Sequence, residues 1–184
     1  YPDGTVAGDL IILVCGADVG SATFTATGFT TIYETSALSI SGCHAGFYYK
    51  VAGAETSVTV SNSAGTTKGG CAIISYTSAA YGGSDGGGYT APNSSPPNSG
   101  AVTAAVDDIV LAAVVVDEGP SITAIPSGYT ERINVLLGSV SSGVTIGVAD
   151  KAITSAGSED PGAWTTAAPG GAICIYITIL ITGV

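Results

Sequence analysis

Apolar residues fall in short β-branched runs separated by clusters of Gly, Ser, Asn and Pro. No long segment holds the i, i+3, i+4 spacing of an amphipathic helix. Glu, Lys and Leu are scarce and Gln is absent, so good helix formers are few. The pattern predicts strands at 9–15, 22–26, 30–34, 46–51, 57–61 and 70–77. A second set follows at 108–116, 121–125, 129–135, 144–148 and 172–181. In 57–61 the two Val alternate with Ser and Thr, which predicts one wet face. The runs 109–116 and 173–181 are uninterrupted and rich in Val and Ile. They suit strands buried on both faces, and they are far shorter than the roughly 20 residues of a membrane-spanning helix.

Between the two sets lies 81–100, with five Gly in its first eight residues and three Pro near its end. Such a segment forms neither a helix nor a central strand, and reads as a surface loop or a linker. The flanking halves, about 6–80 and 105–182, look alike. Residues 7–13 resemble 106–111, 27–30 resemble 127–130, 49–53 resemble 146–150, and 69–76 resemble 170–176. The offsets of 97 to 101 in one order point to a pseudo-repeat. One layer of four or five strands cannot bury both faces alone, so two repeats closing on each other predict a sandwich. The expected fold is all-β, a jelly-roll-like antiparallel β-sandwich forming a single domain over 1–184.

Charge narrows the function. The net charge is −10, with Lys50, Lys68, Arg132 and Lys151 the only cations. Phosphate backbones need Lys and Arg for counterion release, so no nucleic acid and no anionic membrane is expected as a partner. Charged residues make up only 10% of the chain, leaving a Ser, Thr and Gly-rich surface suited to packing against protein. The chain holds no Met and begins Tyr1-Pro2, which suggests processing or a missing upstream segment.

Motifs for chemistry are weak. Cys15, Cys43, Cys71 and Cys174 form no C-x-x-C pair. Buried free thiols are the expectation, with one or two disulfides the alternative. Gly82 to Gly86 match G-x-S-x-G around Ser84, but Gly87, Gly88 and Pro92 forbid the helix that a nucleophile elbow needs. His44 is the only imidazole, and as strand neighbours Cys43 and His44 should point to opposite faces. The acidic pairs Asp107-Asp108, Asp117-Glu118 and Glu159-Asp160 lack calcium-loop spacing and read as solvated strand ends. Asn93-Ser94-Ser95 is a glycosylation sequon. Phe29 and Tyr129 occupy matching repeat positions and read as core anchors, while Trp164 and scattered Tyr are the available sugar platforms. No catalytic, cofactor or metal residue is assigned, and no enzyme is expected.

The motifs around Gly8-Asp9-Leu10, Gly28-Phe29-Thr30, Tyr49-Lys50-Val51-Ala52 and Ala72-Ile73-Ile74-Ser75-Tyr76 come in an order that resembles a diffuse family of phage and prophage virion proteins. The likeness continues through Pro126 to Thr130 and Trp164 to the last strand, though Phe29 stands where that family usually has Trp. It implies a capsid decoration, cement or fibre subunit on the virion surface. Its partners would be copies of itself and a larger assembly such as a capsid. The alternatives are a secreted filament or surface-layer subunit linked by strand addition through a free N-terminal arm, and a carbohydrate-binding jelly roll.

Overall fold

The computed structural model describes residues 1–19, 23–35, 42–63, 68–90, 96–139, 142–167 and 173–183. The chain is all-β, and no helix among the described residues is long and apolar enough to cross a membrane. The first half supplies β1 (Leu10–Ala17), β2 (Phe24–Ala26), β3 (Thr30–Glu34), β4 (His44–Val51), β5 (Val60–Asn62) and β6 (Gly69–Tyr76). Then come β7 (Ala80–Ser84), β8 (Gly88–Thr90) and β9 (Val102–Ala104). The second half supplies β10 (Ile109–Asp117), β11 (Ile122–Ala124), β12 (Thr130–Leu137), β13 (Val144–Ala152), β14 (Gly157–Glu159), β15 (Thr165–Thr166) and β16 (Cys174–Thr182).

Each half builds its own antiparallel sheet, and the strand orders correspond. The first sheet runs β3-β4-β1-β6, and the second runs β12-β13-β10-β16 with β7 and β8 added beyond β16. The two antiparallel sheets pack as the all-β sandwich that the sequence predicts, one sheet from each half. The small pairs β2–β5 and β11–β15 also correspond.

Local details repeat too. Asp9 accepts the Val6 amide through Oδ2, while its backbone exchanges hydrogen bonds with Val6 and Ala52. Asp108 does the same with Ala105 and Ile153. Gly28 and Gly128 carry φ of 80° and 82° in matching turns just ahead of β3 and β12, where a Cβ would be strained. Both β3 and β12 then bulge at the same place, between Thr31 and Tyr33 and between Glu131 and Ile133.

Two of the four sequence matches fall on equivalent positions, those at Asp9/Asp108 and Gly28/Gly128. The other two do not. Pairing of β1 with β4 and of β10 with β13 makes Lys50 equivalent to Lys151, four residues away from the likeness of 49–53 to 146–150. Leu10 faces Tyr76 where Ile109 faces Ile181, so Tyr76 is equivalent to Ile181 and not to Tyr176. The reason is physical: Val and Ile runs look alike in any register, whereas burial accepts only one.

Both faces of the central strands are covered, which explains the uninterrupted runs. Between the sheets, Leu10, Ile12, Val14 and Phe47 meet Leu111, Ile146, Val148 and Ile175 to Ile181 in alternation. On the outer face of the first sheet, Leu13, Cys15 and Tyr48 lie under Phe24, Val60 and the partly buried Phe29. On the outer face of the second, Val110, Ala112, Val114 and Val116 lie under Val102, Ile122, Tyr129 and Trp164. Phe29 and Tyr129 thus anchor equivalent turns. Residues 57–59 stay outside a strand, although Val58 and Val60 are half-buried and Ser57, Thr59 and Ser61 exposed.

The segment 81–100 is not a free linker. Its first part forms β7 and β8 on the edge of the second sheet. Asp85 then fastens it, accepting the amides of Gly87, Gly100 and Thr178. Further on, Pro97 accepts the Trp164 amide. The sequon at Asn93 lies outside the described residues.

Candidate interaction surface

The residues that could have carried chemistry are tied into the framework. Cys43 belongs to the core between the sheets, while His44 packs on the ring of Phe24 on the other side of β4. His44 is buried, with Nε2 3.1 Å from Glu34 Oε1 and Nδ1 3.2 Å from Thr35 Oγ1. This has the connectivity of a hydroxyl–imidazole–carboxylate triad. Thr35 is buried, however, and its hydroxyl already accepts the Ala45 amide at 3.0 Å and approaches Ala45 O at 3.3 Å. Glu34 Oε1 also accepts the Phe24 amide. The cluster closes the junction of β2, β3 and β4 and presents no nucleophile to solvent.

Ser84 ends β7 and is followed by the Asp85 turn, not by a helix. Trp164 is fully buried against Gly147 and Ile122, which removes it as a sugar platform. Tyr33 and Tyr176 lie against the backbone of Gly87 and Gly88, and Tyr89 is the exposed member of that group.

Cys15 and Cys71 form a disulfide, which corrects the expectation of four free thiols. They are directly opposed on β1 and β6, a pairing that strand register creates and sequence spacing does not reveal. Cys43 and Cys174 are free and buried. Burial pushes both thiols up, Cys174 to about 11, so neither is a reactive thiolate near neutrality.

The acidic pairs are divided by the fold. Asp108 caps a turn, Asp117 is buried, and Glu159 accepts from Tyr129 Oη and from Lys151 Nζ at 2.8 Å. No group of three metal-ligating side chains occurs among the described residues. Asp150 is buried between the sheets and accepts the Tyr76 hydroxyl and Arg132 Nε, each at 2.9 Å. It pins β6 to β12 and β13. Lys50 and Lys151 sit 5.8 Å over the rings of Phe29 and Tyr129, each paired with a glutamate, Glu55 or Glu159. These repeated braces take up two of the four cations. Residues 1–9 are likewise held on their own subunit: the Tyr1 amine donates to Thr56 O, and Thr5 Oγ1 donates to Ser75 Oγ.

The sheet edges are where a partner can act. The β3 edge is short, bulged and ends in Glu34. The β12 edge is bulged and carries Glu131 and Arg132. The far edge of the second sheet is split between β7 and β8. By contrast, β6 runs eight residues in unbroken register with β1 and carries no charge. Among the described residues no strand pairs with its other side. An open groove of about 330 Å³ borders its start, lined by Phe24, Val60, Ser61, Gly69, Gly70 and Cys71.

Comparison with protein-family models, with characterised proteins and with solved structures finds no match.

Proposed function

We propose that this chain is a non-enzymatic structural subunit of a phage particle, a decoration, cement or fibre protein at the virion surface that acts through protein packing. The observation that supports the assembly part is the uncharged, unbulged edge of β6, in a molecule whose other edges are short, bulged, broken or charged. Natural monomers blunt such edges, since an unpaired row of N–H and C=O groups templates pairing with another chain. The engagement of His44, Glu34, Asp150 and Asp85 in internal hydrogen bonds supports a structural use of the polar groups. The net charge of −10 suits an outer position away from packaged DNA. The virion part rests on the ordered short motifs around Asp9, Gly28, Lys50 and Tyr76. Immunogold labelling with an antibody to the purified chain tests it. Label on heads or fibres of particles induced from the source cells is the expected result. Label on cell-surface filaments alone would overturn it.

A further inference from the structure

We propose that two copies of this chain pair through the edges of β6, antiparallel about a two-fold axis at Ile73, joining their four-stranded sheets into one. The inference rests on reading the chain as an assembly subunit and names the contact it uses.

Register follows from the backbone. Cα atoms of Cys15 and Cys71 are 4.1 Å apart, the separation of a pair that shares no ladder hydrogen bonds. Cys71 therefore turns its N–H and C=O away from β1, and by alternation so do Ile73 and Ser75. Outward groups of one copy must meet outward groups of the other. Centring on Ile73 places Cys71 opposite Ser75, Ala72 opposite Ile74 and Gly70 opposite Tyr76, so the largest side chain of the strand meets a glycine. Each outward pair then exchanges two hydrogen bonds.

Two further observations select a second copy as the occupant. Any contact between two molecules of charge −10 tends to oppose carboxylates, and like charges opposed across strands are unfavourable. The strand Gly69–Tyr76 contains no Asp, Glu, Lys or Arg, so self-pairing there opposes none. The groove along Gly69, Gly70 and Cys71 also lies where the partner's Ser75 and Tyr76 run in this register.

Sedimentation equilibrium of the purified chain, from about 1 to about 100 μM, tests the proposal. Ser75→Pro removes an outward N–H without breaking the ladder to β1, and Ile73→Lys opposes two ammonium groups at the axis. Leu136→Lys on β12 is the control edge. The native chain and L136K should dimerise, and both β6 variants should associate at least about tenfold more weakly, with circular dichroism and Trp164 emission unchanged. Hydrogen exchange on the native chain gives a readout independent of any variant. The Cys71, Ile73 and Ser75 amides should exchange more slowly at high than at low concentration. A native monomer across the range, a dimer indifferent to Ser75→Pro, or concentration-independent exchange would each overturn the pairing. A monomer that still labels particles sinks the β6 contact alone, whereas a dimer that labels none supports the contact and sinks the virion reading.

Discussion

Asp117 shows how one residue can work against the fold. It is 6% exposed at the end of β10, and its Oδ1 has no partner among the described residues. Burial is the main cause that pushes its carboxyl up to about 6, with the Glu118 amide opposing the shift. A carboxyl whose folded value lies above its unfolded one destabilises the fold once ionised. Stability from this group is therefore retained at low pH and lost as pH rises between the unfolded value of 3.8 and about 6. Asp117→Asn should raise the melting temperature at about pH 7.5 and have little effect at about pH 4. An equal gain at both, read by calorimetry, would contradict this. Legibility at this scale was uneven. The opposed faces of Cys43 and His44 and the matching turns at Gly28 and Gly128 follow from local rules. The partners of His44 and the Cys15–Cys71 bond do not, because they depend on which strands become neighbours.

The elements owe their sequence character to layering. Strands β1 and β10 are covered on both faces, so their composition is apolar as far as Asp117 at the end of β10 and carries no alternation. The outer layer is thin, and one glycine shows how tightly it sits. A Cβ on Gly147 would lie 2.5 Å from Ile122 Cδ1 and 2.9 Å from Trp164 Cζ3. Gly147→Ala should cost about 1–3 kcal/mol by overpacking. It should also shift the emission of Trp164, the single Trp of the chain, whose ring is fully buried. Unchanged emission and stability would show that the layer yields freely. Short strands β9, β14 and β15 were illegible in sequence, since two or three residues carry no period. Strands β7 and β8 were hidden by their glycines, which are tolerated because they add to an edge.

At the scale of the whole molecule, the two halves share one core. Among the described residues, inward side chains of the first sheet pack against those of the second, and the Tyr76–Asp150–Arg132 cluster spans them. Unfolding should therefore be a single cooperative step. Trp164 emission, a probe of the second half, and exchange protection of the β1 amides, a probe of the first, should give coincident denaturant midpoints. Separate midpoints would mean that the halves fold independently.

Much of this architecture was written in one dimension. Runs of β-branched residues between glycine and proline clusters determine an all-β chain. The turn signatures at Asp9, Gly28, Asp108 and Gly128 determine that two like halves exist, because a turn's geometry depends on residues adjacent in sequence. The register of the later strands, the disulfide, the docking of β7 and β8, and the lack of a described strand beyond β6 were decided only by the tertiary structure. Each depends on which apolar face is buried and against what, and many Val and Ile registers satisfy the local chain equally well.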